Sequence, residues 1–127
     1  MKEVIKTDLA PQAIGPYSQG RISGGYLFCS GQIPINPATG EVVDGGIEAQ
    51  AKQVMENLKQ ILLAAEMNFD DVLKTTVFIT DMGNFAAVNK IYGSYFTDKL
   101  PARSCVAVAS LPKGVLVEIE LIACKHA

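Results

Sequence analysis

Three charged side chains interrupt apolar, β-branched runs near the end of the chain. Residues 100–121 read LPARSCVAVASLPKGVLVEIEL and place Arg103, Glu118 and Glu120 inside strand-like segments. A charge in such a run is costly to bury unless it is paired, so each side chain lies at a surface, in an ion pair or against a ligand. An arginine beside a glutamate suits carboxylate binding and acid-base chemistry; the alternative is a structural ion pair at a sheet end or a subunit interface.

The spacing of these residues predicts that the charges meet. If residues 111–114 form a hairpin loop, the flanking strands pair antiparallel, with position 105 opposite 120 and position 107 opposite 118. Because side chains alternate between the two faces of a strand, one face then carries the following group: Arg103, Cys105, Ala107, Glu118, Glu120 and Ile122. A loop one residue longer or shorter would reverse this parity.

Other familiar catalytic and ligand-binding motifs are missing from the sequence. The one histidine, His126, stands next to the C-terminus, where chains fray, so a nucleophilic triad would lack a firmly held imidazole. There is no HExxH, no cluster of His and Cys and no DxDxDG loop for a metal, and neither GxGxxG nor GxxxxGK[ST] for a nucleotide. The sequence therefore predicts a site that works without a metal or a cofactor.

Two amphipathic helices are predicted to support the site. From 47 to 67 the apolar residues recur every three or four positions, as Ile47, Ala51, Val54, Leu58, Ile61, Leu62 and Ala65. A second helix is predicted over residues 84–96, where one face carries Phe85, Val88, Ile91 and Tyr95. Gly93 and Ser94 are weak helix formers within that second segment.

Strand and turn patterns surround these helices. Residues 9–20 are rich in Pro, Gly and small polar residues and predict an ordered loop, and residues 36–41 (NPATGE) predict a turn. Strands are predicted over 26–35, with Gly31 at a bulge or a close backbone approach, and over 71–81. The order of elements indicates an α+β domain with helices on one sheet face. The other face needs cover, which predicts a homo-oligomer.

Length, charge and cysteine content narrow the class of protein. A chain of 127 residues and 13.6 kDa fits a single domain over 1–127. A net charge of -2 and a pI near 5.3, without a run of like charges, argue against nucleic acid as a partner. No apolar run approaches the ~18 residues that span a bilayer. Three widely spaced cysteines without CxxC spacing predict reduced thiols and a cytoplasmic location.

Several short motifs resemble those of one protein family and stand in the same order. They are IGPYSQG (14–20), SGQIP (30–34), NPATGE (36–41), the helix from 50 to 64, KTTVF (74–78), FAAVN (85–89) and PARSCVAVASLPKGVLVEIE (101–120). In these motifs the chain resembles the RidA/YjgF family of reactive-intermediate deaminases. The resemblance covers nearly the whole chain.

The resemblance implies a fold, an assembly and a reaction. The fold is a chorismate-mutase-like α+β domain, a mixed sheet with two helices packed on one face. Three copies form a homotrimer in which the sheets make a central barrel, with clefts between subunits. The reaction is hydrolysis of 2-imino acids, such as 2-iminobutanoate and 2-iminopropanoate released by PLP-dependent dehydratases, to 2-oxo acids and ammonia.

The resemblance also implies a set of site residues. The catalytic residues would be Arg103 and Glu118, and the substrate-binding residues would be Tyr17, Ser30, Gly31, Asn89, Arg103 and Cys105. Arg103 would grip the substrate carboxylate, Glu118 would activate the attacking water, and the backbone carbonyl of Cys105 would accept the imine N–H. The lining residues also have structural interpretations, namely loop packing for Tyr17, strand geometry for Ser30 and Gly31, and a solvated helix position for Asn89.

Two other classes of function remain alternatives to an enzyme. A cleft with one arginine and one glutamate also suits a non-catalytic binder of small carboxylates or a regulatory or chaperone-like trimer. An RNA-directed activity is disfavoured by the acidic pI and by the absence of a basic-aromatic stripe.

Overall fold

Six strands form one mixed sheet, and two helices pack on it, in the computed structural model, which describes residues 2–125. The strands of the sheet are β1 (Val4–Ile5), β2 (Gly20–Ser23), β3 (Tyr26–Gln32), β6 (Val72–Ile79), β7 (Ala102–Ala107) and β8 (Val117–Cys124). A separate two-stranded ribbon contains β4 (Ile35–Asn36) and β5 (Glu41–Val42), and the helices are α1 (Gly46–Ala64) and α2 (Phe85–Gly93). His126, with the prediction made for its imidazole, lies outside the described residues.

The strand order is β1-β2-β3-β8-β6-β7. All neighbouring pairs are antiparallel except β6 and β7, which run parallel. A parallel pair needs a long crossover, and α2 with its flanking turns provides one between these two strands. The predicted α+β class, with two helices and a mixed sheet, is therefore confirmed.

The predicted hairpin between the last two strands is wrong. β6 lies between β7 and β8, so positions 105 and 107 do not face 120 and 118; instead Val77 of β6 pairs with Cys105 on one side and Ile119 on the other. The connection 108–116 passes the end of β6, where Val108 N–H donates to the Ile79 carbonyl at 2.8 Å. β6, a β-branched strand that is buried on its helix-facing side, takes the interior position between β8 and β7, and this displaces the local pairing.

α1 forms because its apolar stripe is buried in the core. The buried stripe consists of Ala51, Val54, Met55, Leu58, Ile61 and Leu62, each at most 1% exposed. The helix ends at Ala64 rather than at 67, because Glu66 adopts a left-handed φ of 58° and Met67 N–H bonds back to the Leu62 carbonyl. The predicted helix is thus confirmed, with a shorter C-terminal end.

α2 is shorter than predicted and packs through aromatic side chains. It follows a turn of 3-10 helix, Met82–Asn84, and it ends at Gly93, where the Ser94 hydroxyl bonds the Ile91 carbonyl at 2.6 Å. The aromatic rings of Tyr92 and Phe96 then lie 5.0 Å apart, and Phe96 also contacts Phe69. These contacts fix the side of α2 that faces β6 and β7.

The sheet face opposite the helices is open and carries a band of apolar side chains. In β3 the side chains of Tyr26 and Phe28 are 44% and 50% exposed, and Val106 of β7 is 43% exposed. Ile122 and Phe78 lie between them on the same face, each partly buried. An exposed apolar surface of this kind marks an interaction site, in line with the prediction of a homo-oligomer.

Candidate functional site

The structure divides the predicted site residues into two groups. Tyr17, Ser30, Gly31 and Glu118 line one depression, which we call the Glu118 cleft. Asn89 and Arg103 contact each other on the other side of the sheet, with Cys105 on the same face of β7; we call this group the arginine stack. The charges that the sequence placed together are therefore apart within one chain.

The register of the sheet explains this separation. In β6, Thr75 is paired with Arg103 of β7, whereas Phe78 is paired with Glu118 of β8. Residues three apart in a strand point to opposite faces, so Arg103 lies on the helix-facing side and Glu118 on the open side. The expectation that Arg103 shares a face with Glu118 and Glu120 is wrong, because it depended on the hairpin that does not form.

The Glu118 cleft has a volume of about 430 Å³. Polar groups from β3 and β8 and apolar side chains both line it. The lining residues are Ile14, Tyr17, Ser30, Gly31, Ile33, Pro112, Glu118 and Glu120. Clefts with a few convergent polar groups among apolar walls are the common form of small-molecule sites. The volume and lining suit a small molecule with one short apolar substituent.

A bulge in β3 brings its backbone against the Glu118 carboxylate. Cys29 pairs with Leu121 and Gln32 with Ile119, so β3 has two residues where β8 has one. At the second of them, Gly31, a Cβ would overlap the carboxylate of Glu118, with the carboxyl carbon only 2.9 Å away. The predicted bulge and close approach at Gly31 are confirmed.

In Gly31→Ala the added Cβ should displace the Glu118 carboxylate, and any reaction that uses this carboxylate should slow roughly 10²-fold, since small misplacements of a reacting group are that costly. Steady-state kinetics would measure this loss, with thermal unfolding as the test of folding. Gly93→Ala is the matched control, because a Cβ there meets nothing within 4 Å. Wild-type activity in Gly31→Ala would contradict the importance of this contact.

The loop that carries Tyr17 is anchored to β3 by hydrogen bonds. The Ser30 hydroxyl donates to the Ser18 carbonyl at 2.6 Å, and the Ser30 N–H donates to the Gln19 carbonyl at 2.9 Å. The buried Gln19 side chain in turn bonds the backbone of Thr7 and Pro11. Ser30 thus shapes the cleft, while Tyr17, 48% exposed, presents its ring to it.

Burial raises the pKa of the Glu118 carboxyl above its ordinary value, and the neighbouring Glu120 carboxylate raises it further. Both effects disfavour the charged form. A carboxyl group in a cleft whose pKa is raised in this way is a candidate acid-base group. Glu120 is exposed at the rim, so Glu118 is the better acid-base candidate of the two.

Two aromatic rings and an amide hold Arg103. Its Nη1 donates to Asn89 Oδ1 at 2.5 Å, and its guanidinium carbon lies 5.4 Å and 5.1 Å from the ring centroids of Phe85 and Tyr92. The Tyr92 hydroxyl is in turn hydrogen-bonded to the buried Thr75 hydroxyl at 2.7 Å. The guanidinium is therefore oriented before any ligand arrives.

The sequence did not predict the contacts of Phe85 and Tyr92 with Arg103. It treated Phe85 as part of an apolar helix face and did not consider Tyr92. The spacing 85, 89 and 92, which places three side chains on one side of a helix, was the available signal. Asn89, whose role the sequence left open, contacts Arg103 and orients it.

The Cys105 thiol is not activated. Burial raises its pKa, while the charge of Arg103 acts in the opposite direction and is the smaller effect. A thiol with a raised pKa forms less of the nucleophilic thiolate. Cys29, buried in the core, has its pKa raised to about 12 by burial and by Glu120.

Residues 2–125 contain neither a cluster of metal-ligating side chains nor a helix that could span a membrane. Within this range no three His, Cys, Asp or Glu side chains come together in a way that could hold a metal ion. No helix in the same range has both the length and the apolar character to cross a bilayer.

Comparison with known proteins identifies relatives over the full length. The sequence model of the family described as endoribonuclease L-PSP matches residues 7–125. The 2-iminobutanoate/2-iminopropanoate deaminase of Escherichia coli K12 is 50% identical over 129 residues, 99% of this chain and 100% of that protein.

Solved structures agree closely with the fold. A crystal structure from Thermotoga maritima superposes with a TM-score of 0.96 at 54% identity, covering 100% of both chains. The structure of E. coli TdcF with bound serine has a TM-score of 0.93 at 47% identity, covering 98% of this chain and 100% of that one.

Proposed function

The chain belongs to the endoribonuclease L-PSP family, which includes the YjgF/RidA proteins, and we propose on this premise that it hydrolyses 2-imino acids to 2-oxo acids and ammonia. One observation carries the proposal. The Glu118 carboxyl, whose pKa is raised, lies against the backbone of Gly31 in a cleft with apolar walls. The name of the E. coli relative supports the choice of 2-iminobutanoate and 2-iminopropanoate as substrates.

The proposed site forms between subunits of a homotrimer. Arg103 and Glu118 lie on opposite faces of one sheet, so one substrate reaches both only if they come from different copies. The open apolar face and the exposed edge strand β7 are the surfaces that such copies would bury. In this arrangement the sheets surround a central barrel, and Arg103 of one subunit faces the Glu118 cleft of the next.

The proposed substrate pose assigns each part of a 2-imino acid to a protein group. The substrate carboxylate binds the two-pronged guanidinium of Arg103. The imine N–H donates to the Cys105 carbonyl, and the ring of Tyr17 limits the cleft on the loop side. The short alkyl group lies among the apolar walls, which are Ile14, Ile33 and Pro112.

The chemistry needs only a positioned water and a proton carrier. Glu118 takes a proton from water as the water oxygen bonds to C2, and the electron pair of the C=N bond moves to nitrogen. The protonated Glu118 then delivers its proton to that nitrogen. Glu118 next takes the hydroxyl proton and passes it to the amino nitrogen; the C2–N bond breaks as C2=O forms, ammonia leaves, and Glu118 is again a carboxylate.

The assay is release of 2-oxobutanoate from 2-iminobutanoate. A threonine dehydratase generates the imine in situ, and semicarbazide competes for it. We expect the wild-type protein to accelerate release of 2-oxobutanoate. An unchanged rate at micromolar protein would contradict the proposed function.

Glu120→Gln should shift the acidic limb of the kcat/KM profile to lower pH. Glu118 must be unprotonated to act as the base, so activity falls as pH drops through its pKa. The Glu120 carboxylate raises that pKa, and removing the charge lowers it. The pH dependence of kcat/KM measures the shift, because it reports groups of the free enzyme. An unmoved limb would mean that another group titrates.

A second candidate function is binding of small carboxylates without turnover. The structure of the relative TdcF contains bound serine. Serine carries a carboxylate and a 2-amino group at the positions where a 2-imino acid carries its carboxylate and imine. Loss of turnover in Glu118→Gln with retained binding supports the deaminase, whereas a regulatory binder would have no turnover to lose. A regulatory or chaperone-like role would instead be independent of Glu118.

Ribonuclease activity, suggested by the family description, is disfavoured by the net charge of -2. Salt-sensitive RNA binding by the purified protein would reopen it. The proposed location is the cytoplasm, where the three free thiols would stay reduced.

A further inference from the structure

Two buried amide side chains of α1 connect this helix to the walls of the Glu118 cleft. Asn57 is 1% exposed and donates both amide hydrogens, to the carbonyls of Ile33 at 3.1 Å and Ile35 at 3.0 Å. Gln50, 9% exposed, accepts the N–H of Leu116 at 2.8 Å through its Oε1. The two residues are seven apart and so lie on the same side of α1.

The bonded residues lie just outside the strands of the main sheet. Ile33 follows the end of β3, and Leu116 closes the connection before β8. The Leu116 carbonyl accepts the Thr80 N–H at 3.3 Å, so this residue is fixed from both sides two positions before Glu118. Ile33 and Pro112 both line the cleft; Ile33 is itself bonded to Asn57, and Pro112 stands four residues before Leu116, which is bonded to Gln50.

Gln50 and Asn57 are the polar residues on the buried side of α1, which is otherwise apolar. A buried polar side chain is costly unless it is hydrogen-bonded, and each amide here satisfies backbone groups outside its own helix. An apolar side chain of the same size would leave the two carbonyls or the N–H without this partner. The segments of Ile33 and Leu116 would then keep only their backbone bonds, from Ile35 N–H and Thr80 N–H, and we expect them to be held less firmly.

We propose that Gln50 and Asn57 are positioning residues that set the width of the Glu118 cleft and thereby the size of side chain that the substrate can carry. The inference rests on the proposed deaminase function. It concerns the preference for side-chain size, which Arg103 and Glu118 do not determine. These two residues act on the carboxylate and the imine, which every 2-imino acid has.

The test compares Gln50→Met and Asn57→Leu with wild type on small and large substrates. 2-Iminobutanoate is the small substrate, and the 2-imino acid formed from leucine by an amino-acid oxidase is the large one. We expect the ratio of kcat/KM for the large substrate to kcat/KM for the small one to rise about three- to tenfold. One methylene changes kcat/KM by about 10–200-fold in a tight pocket, and we expect a smaller effect here. Loss of folded protein alone would lower both rates equally and leave the ratio unchanged.

Matched variants separate positioning from stability. Gln50→Glu keeps an acceptor for Leu116 and should retain the wild-type ratio. Gln60→Met makes the same kind of change elsewhere on α1 and should do the same. An unchanged ratio in both Gln50→Met and Asn57→Leu would overturn the inference.

The design also separates this inference from the proposed function. Absence of turnover by wild type would overturn the deaminase assignment by itself. The large-to-small comparison would then use binding affinities in place of kcat/KM. The two ligands are the 2-oxo acids that match the small and large substrates, 2-oxobutanoate and 4-methyl-2-oxopentanoate. A ratio unaffected by the two substitutions would overturn the inference in that case too.

Discussion

Arg103→Ala lowers kcat/KM for 2-iminobutanoate by about 10²- to 10³-fold, a loss of about 3–4 kcal/mol of transition-state stabilisation. The reason is that the guanidinium is the proposed partner of the substrate carboxylate and is already oriented by Asn89, Phe85 and Tyr92. Steady-state kinetics with 2-iminobutanoate would measure the effect. Arg103→Lys should recover only a small part, because an ammonium cannot form two parallel bonds to a carboxylate.

Arg21→Ala is the matched control for this prediction. It removes the other arginine of the chain from an exposed position on β2 and should retain activity. Sedimentation of both variants should show the wild-type assembly. Wild-type turnover in Arg103→Ala would exclude Arg103 from the site.

Glu118→Gln should reduce kcat by about 10²- to 10⁴-fold, the range for removal of a general acid-base group. The amide is nearly the same size as the carboxylate, so it fits over Gly31, but it cannot take a proton from water. Binding of 2-oxobutanoate, followed by calorimetry, should stay within a few-fold of wild type. A loss confined to kcat distinguishes catalysis from binding.

Glu120→Gln serves as the control, since it makes the same change two residues along β8. Its plateau activity should stay within a few-fold of wild type, although its pH profile shifts. Equal losses in the two variants would mean that the charge of the cleft matters and not the proton transfer at Glu118.

Local patterns predicted the elements and the side-chain types of the site. The apolar spacing in α1, the glycine in β3 and the 36–41 turn are each determined by residues close in sequence, and each was found in place. The alternation along each strand was also predicted, with Arg103 and Cys105 on one face of β7, and Glu118 and Glu120 together on β8. Such features depend on period and propensity alone.

The neighbours of the strands could not be predicted in the same way. The pairing of β7 with β6 depends on the crossover through α2, and a single inserted strand moved Arg103 to the other face from Glu118. A strand's alternation says which residues share a face of that strand, but not which face of the next strand they meet. A hairpin was therefore a reasonable prediction and a wrong one.

The residues that hold the site residues and the cleft walls in place were also not predicted. The ring contacts of Phe85 and Tyr92 with Arg103, and the bonds of Gln50 and Asn57 to distant backbone, join residues far apart in the chain. Gln50 and Asn57 did carry a signal, because both stand at spacing that places them on the buried stripe of α1. Polar residues at such positions indicate a hydrogen-bond partner outside the helix.

Subunit complementation tests the central claim, a deaminase site shared between two copies, most directly. Arg103→Ala and Glu118→Gln subunits, each nearly inactive alone, would be unfolded together, refolded at equal amounts and assayed, with native mass spectrometry confirming mixed assemblies. About one site in four should then combine an intact Arg103 with an intact Glu118 from its neighbour and restore about a quarter of wild-type activity. Mixed assemblies that remain as inactive as their parents would contradict a site shared between subunits.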